Sequence, residues 1–398
     1  MNRKNKNLSA EPFHFDSMLV TVCVCLLLIG YVMVTSSSLH LDAKASLAAT
    51  TLNVWGYPLK QLAHIGLGLV MARYIALMPM RSWQKMAPWL FIGGLILLVV
   101  VLFVGINVNG STRWLQLAGI RIQVSELVKF AAVVYMASYV SRHQQSIRES
   151  AFGLLKPLLL FSVASALLLL EPDFGSAVVI LIIAMGMMFL AGARLSQFAL
   201  LLAVVTALAV VLVIFEPYRM QRVTSFMNPW ADPRNTGFQL IQALVAFGRG
   251  ELWGVGLGNG LQKLFYLPEA HTDFLFSVVA EELGLLGVLA VIGLFALLVC
   301  RAFAIAVAAE KAGEQFSAFV AYGLGIWFGF QAFVNMGVNM GILPTKGLTL
   351  PLMSYGGGSM MIMCCAVALL FRVHTEVTEI NASTLPEPRV KARAKVTA

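Results

Sequence analysis

The sequence predicts an all-α membrane protein, a polytopic bundle of about ten transmembrane helices with one large extracytoplasmic loop. Three observations lead there. The 398 residues are 59% hydrophobic and 12% charged, about half the charge of a soluble domain, and the mean hydropathy is +0.83. Apolar runs of about 20 residues, enough to cross a bilayer, recur along the whole chain. So many spans can satisfy their backbone in hydrocarbon only as helices. No soluble stretch is large enough to bury a core of its own.

In chain order, residues 1–17 read as a basic cytoplasmic tail. No convincing small-residue cleavage site follows the first span, so that span is expected to stay as an anchor. Hydropathy places the spans near 18–37, 59–79, 88–105, 123–141, 156–170, 176–191, 197–215, 274–299, 316–340 and 352–371. With the N-terminus cytoplasmic, most of the 28 Lys and Arg fall in cytoplasmic segments, Arg73, Arg81, Arg142, Arg194, Arg301 and Arg372 among them. Both termini are therefore expected inside. Segment 216–272 then lies outside. Its aromatic residues (Trp230, Phe238, Phe247, Trp253, Phe265, Tyr266) and the run GFQLIQALVAFG suggest amphipathic helices resting on the outer membrane surface. Residues 374–398 read as a polar cytoplasmic tail.

The net charge of +9 is spread over short segments between spans, which fits membrane topology and argues against a nucleic-acid ligand. The cysteines Cys23, Cys25, Cys300, Cys364 and Cys365 lie in or beside apolar runs. They read as buried small residues rather than ligands or disulfides.

Charges in or beside the bilayer are costly unless paired or hydrated, so they mark candidate sites. Glu126 and Lys129, three apart, can pair on one helix face, and Arg121 just before them could hold a phosphate. In Pro268-Glu269-Ala270-His271-Thr272-Asp273-Phe274, a partly desolvated carboxylate would make a proton acceptor; Thr272 or Asp273 could instead simply cap the next helix. Glu281 and Glu282, two turns further, cannot share a face; structural pairing and a functional role are both open. Pro344-Thr345-Lys346-Gly347 through Ser359 is glycine-rich and bracketed by prolines, which suits irregular backbone lining a cavity or a plain turn. Asn335 and Asn339 read as hydrogen-bonding neighbours of other helices. Glu171-Pro172-Asp173 reads as a tight turn, and His64 as a bundle residue. Gly254-Val255-Gly256-Leu257-Gly258-Asn259-Gly260 looks phosphate-cradling, but no strand precedes it.

Four motifs in order, RIQVSELVKF (121–130), NPWADPRNTGFQ (228–239), PEAHTDFLFSVVAEELG (268–284) and PTKGLTLPLMSYGGGS (344–359), resemble the SEDS (shape, elongation, division, sporulation) family of cell-wall polymerases. The resemblance covers residues 18–373. Ala270 before the histidine and Lys346 resemble the division members more than the elongation members. Val124 and Gly358 depart from the family's usual proline and serine.

The resemblance implies a glycosyltransferase that polymerises lipid II at the division septum, in the cytoplasmic (inner) membrane. Asp273 would be the general base. Arg121 and Lys129 would bind pyrophosphate or shape the cavity, with Glu126, Lys346, Arg222, His271 and Glu281 as further substrate-binding candidates. A divalent cation (Mg or Mn) could assist the leaving group, although no ligand set for one is visible. The expected partners are lipid II, the nascent glycan strand and a class B penicillin-binding transpeptidase with other division-complex proteins. A lipid II flippase and a scaffold without catalysis are the alternatives.

Overall fold

The computed structural model describes residues 16–46, 56–108, 111–117, 120–264, 266–344 and 347–384. All ten expected spans are helices. They are α1 (Ser17–Ser46), α2 (Gly56–Leu77), α3 (Met80–Val104), α4 (Val124–Glu149), α5 (Ala151–Leu170), α6 (Phe174–Leu190), α7 (Leu195–Ile214), α10 (Leu275–Lys311), α11 (Gln315–Asn339) and α12 (Gly357–Thr384). Eight of them are long and apolar enough to cross a membrane by themselves; α6 has 17 residues, and α2 carries Lys60, Gln61, His64 and Arg73. Asp16, just before α1, pairs with Arg301 of α10 and lies 4.0 Å from His374 of α12, which puts both described ends of the chain at one face. That face is called here the terminal end, and the opposite one the loop end.

The long connection contains α8 (Pro217–Met227), a single 3₁₀ turn (Pro229–Ala231) and α9 (Phe238–Gly250). The expected helices are there, but not all of the segment rests on the surface. Leu257 reaches down beside Leu28, Ile29, Val32 and Met33 of α1 and lines a small apolar pocket with them. At the other terminus, α12 continues to Thr384, past the expected end of the last span, because Glu376 bonds Arg372 one turn back and the Met80 N–H. Residues 1–15 and 385–398 fall outside the described residues.

The connection between α3 and α4 forms a three-stranded antiparallel sheet, β1 (Ile106–Val108), β2 (Ser111–Leu117) and β3 (Ile120–Gln123), which hydropathy did not anticipate. Asn109-Gly110 between alternating residues was the available hairpin signal. Register pairs Trp114 with Gln123 and Gln116 with Arg121.

Helix α10 is broken at Gly284, whose φ of 64° and ψ of −163° suit glycine alone. The backbone groups freed by the break are taken up by the loop. Val255 and Gly256 N–H donate to the carbonyls of Glu281 and Glu282, and Leu285 and Leu286 N–H donate to those of Glu251 and Leu252. The fit is tight, since a Cβ on Gly284 would lie 2.3 Å from the Gly254 nitrogen. Irregular backbone survives beside lipid under that condition, with its polar groups paired inside the protein.

Candidate active site

The Glu281–Glu282 pair anchors this loop. Both side chains are fully buried. Glu281 bonds Arg249 at 3.1 Å and accepts from the Leu261 and Gln262 amides; Glu282 accepts from Lys263 at 2.5 Å, from Ser36 Oγ and from the Gly258 N–H. The glycine-rich run thus wraps a carboxylate of its own chain rather than a phosphate. Glu281, expected near substrate, is placed here in the loop's anchor.

Asp273 lies in the turn that leads into α10. The alternative of a helix cap does not hold. The first residue before α10 has no side-chain cap, and the Ser277 N–H and Oγ are satisfied by Asn339 Oδ1 at 3.1 and 2.7 Å. Thr272 bonds Glu269 instead. The Asp273 carboxylate is left facing Gly347, where a Cβ would come within 2.8 Å of Oδ2. Desolvation, and secondarily the Glu269 charge, push its pKa up to about 7; the charges of Arg113 and Arg222 pull the other way.

Arg113, on β2, was not anticipated, because attention to charges beside spans passes over a short hairpin. Its guanidinium bonds the carbonyls of Glu171 and Pro172 at the start of α6. Asp173 caps α6 by accepting from the Ser176 N–H at 3.1 Å, and Gln123 reaches the same carboxylate. The tight turn expected at Glu171-Pro172-Asp173 is therefore also a wall of the site, and Gly175 just beyond packs on Leu348. Burial and the Asp173 charge push Glu171 up to about 8, and neither of its buried carboxyl oxygens has a hydrogen-bond partner.

Glu126 and Lys129 form the expected i,i+3 pair at 2.8 Å, almost wholly buried. Lys129 also donates to Gln331 Oε1 at 2.9 Å and lies 5.6 Å from the Trp327 ring centroid. Its route to the site runs through Gln331, whose amide donates to the Thr349 carbonyl. His271 packs edge-on against Tyr57 at 5.0 Å between ring centroids, with Tyr355 at 5.6 Å, and its carbonyl accepts from the Tyr355 N–H. Arg222 is half-exposed on α8. Arg121 is described here by its backbone pairing alone, and Lys346 lies outside the described residues. Among the described residues no group of three or more His, Cys, Asp or Glu is placed to hold a metal ion.

A helical membrane bundle that keeps a carboxylate of raised pKa at its loop end, flanked by arginines and roofed by irregular backbone, defines a polytopic membrane protein with an enzyme-like polar site. The model of a cell cycle protein family, FtsW/RodA/SpoVE, matches residues 16–379. The chain belongs to that family. It is 65% identical to a protein of Methylomonas methanica named "Probable peptidoglycan glycosyltransferase FtsW", over 94% of this chain and 96% of the relative. A protein of Methylococcus capsulatus with the same name is 54% identical over 92% of both. Among solved structures, a chain described under "Structural coordination of polymerization and crosslinking by a peptidoglycan synthase complex" superposes with a TM-score of 0.74 at 30% identity, covering 92% of this chain and 99% of that one. Rod shape determining protein RodA of Thermus thermophilus superposes with a TM-score of 0.66 at 28% identity, over 91% and 97%.

Proposed function

We propose that this chain is a peptidoglycan glycosyltransferase that polymerises lipid II at the division septum, with Asp273 as the general base. The supporting observation is the Asp273 carboxylate itself, excused from helix capping, raised to about 7 and facing the Gly347 segment. A group with that pKa is ionised often enough at neutral pH to accept a proton and basic enough to hold it. The 4-hydroxyl of the GlcNAc of lipid II attacks C1 of the MurNAc at the reducing end of the growing strand. The bond from C1 to the undecaprenyl pyrophosphate oxygen breaks, and Asp273 takes the hydroxyl proton. Arg113 and Arg222 are near enough to influence the Asp273 charge and supply positive potential for the pyrophosphate.

In this reading the loop end faces outside, both termini are cytoplasmic, and the partner is a class B transpeptidase. The two relatives' names and the synthase complex support the assignment. The test is glycan formation from lipid II by the chain with its transpeptidase partner, wild type against Asp273→Asn. Loss of polymer in a folded, partner-bound variant is expected; normal polymerisation would remove Asp273 as the base. Lipid II movement across vesicles without polymer, in both proteins, would establish transport in its place.

A further inference from the structure

One face of α11 carries Trp327, Gln331, Asn335 and Asn339 at four-residue spacing, all at most 1% exposed. Trp327 donates to Gln331 Oε1, and the last three side chains bond across to the backbone of the two irregular segments that form the site. Gln331 donates to the Thr349 carbonyl at 2.9 Å. The single NH2 of Asn335 donates both to the Leu348 carbonyl, at 2.6 Å, and to the Asp273 carbonyl, at 2.9 Å. Asn339 donates to the same Asp273 carbonyl at 3.0 Å and to the Asn335 carbonyl at 2.9 Å. Asn335 Oδ1, meanwhile, is buried without a partner. An amide kept buried with its oxygen unpaired is held there for its NH2, which fits a residue whose task is to bridge two carbonyls.

Those two carbonyls belong to the residue bearing the base and to the residue after Gly347. Asn335 therefore fixes the spacing between the Asp273 carboxylate and the backbone that roofs it, and Asn339 holds the Asp273 peptide from a second direction. We propose that Asn335 and Asn339 are positioning residues for glycosyl transfer, setting where the Asp273 carboxylate stands relative to the Gly347–Leu348 backbone. The proposal rests on the reading of Asp273 as the base. Neither asparagine need touch substrate. What they supply is geometry, to which transfer rates are steep: a misplacement of about 1 Å can cost about 100-fold.

The test uses the full chain with its transpeptidase partner and lipid II as substrate, comparing Asn335→Asp and Asn339→Asp with wild type. Each change keeps the shape and replaces the donating NH2 by oxygen, which turns attraction to the carbonyls into repulsion. The expected result is a kcat lower by about 10- to 100-fold with KM within about twofold, and a shifted midpoint in the pH dependence of kcat. Gly347→Ala approaches the same spacing from the other side without removing a buried bond. It is expected to lower kcat alone and, combined with Asn335→Asp, to be less than additive.

Folded variants with wild-type kcat, or a loss carried by KM with an unmoved pH profile, would overturn the proposal. Should the asparagine variants not fold, a wild-type kcat in Gly347→Ala would overturn it as well. Asp273→Asn run alongside separates the two claims. If it is inactive while the positioning variants behave as wild type, positioning alone is overturned; if it polymerises normally, the base assignment falls and positioning with it.

Discussion

Replacing Glu282 by leucine should unseat the loop, and the structure gives the size of the effect. The Glu282 carboxylate is wholly buried and gathers Lys263 Nζ, Ser36 Oγ and the Gly258 N–H. Lys263 is itself 5% exposed, so removing its partner leaves a buried ammonium with Ser36 Oγ as its remaining hydrogen-bond acceptor. Breaking a buried pair in this way costs about 3–5 kcal/mol, mostly the desolvation of the surviving charge. Removing both charges avoids that penalty, so Lys263→Met combined with Glu282→Leu should return to within about 1–2 kcal/mol of wild type. Thermal unfolding in detergent, together with limited proteolysis of residues 251–264, reports both quantities. The single change should lower the midpoint and expose the loop to cleavage, and the double change should restore most of each. A Glu282→Leu variant less than about 1 kcal/mol below wild type, or a double variant as unstable as the single, would refute the reasoning.

Three further outcomes follow from the same geometry. Polymerisation should rise with pH through a midpoint near 7, because Asp273 acts when deprotonated; a pH–kcat/KM profile flat between 6 and 8 would contradict this. Glu171 keeps its proton in the folded chain up to about pH 8 but loses it near its ordinary 4.5 when unfolded, so wild-type stability should decline as pH rises across that window. Glu171→Gln should remove its share of the decline in thermal midpoints over the same range, leaving below about pH 7 the share contributed by the raised Asp273 and a nearly flat profile between pH 7 and 8. Gly284→Ala should cost about 1–3 kcal/mol from backbone strain alone, more once the Cβ meets Gly254, and should show as a lower unfolding midpoint with a protease-sensitive loop.

The spans were legible because hydrophobic run length is a local property: each of the ten expected segments is a helix, with ends within three residues for α2, α6, α7 and α11, while α1, α4, α10 and α12 run 8 to 13 residues past their expected ends. The Glu126–Lys129 pair was legible for the same reason, since three-residue spacing on a helix fixes proximity. Its third member, Gln331, was not, because it comes from α11. Likewise nothing in the spacing of Glu281 and Glu282 says that their partners are Arg249 and Lys263, which the chain delivers from a loop. Asp273 could be singled out by motif resemblance, whereas spacing left it open to a capping role that the structure gives to Asn339. The break at Gly284 had no local signature, because a single glycine inside an apolar run is ordinary in membrane helices. Arg113 was missed with the hairpin that carries it.

The interlock between the loop and the broken helix also imposes an order of assembly. Residues 251–256 are synthesised before residues 281–286, yet each set supplies the hydrogen-bond partners of the other. The loop must therefore wait at the membrane with those groups hydrated until the second half of α10 has followed it. A nascent chain ending before Glu281 has its first seven spans and no seat for the loop. Completion of the loop end is thus a late event in biogenesis, one that waits for residue 286 of 398 and, at the Asp273 turn, for Asn335 and Asn339 of α11.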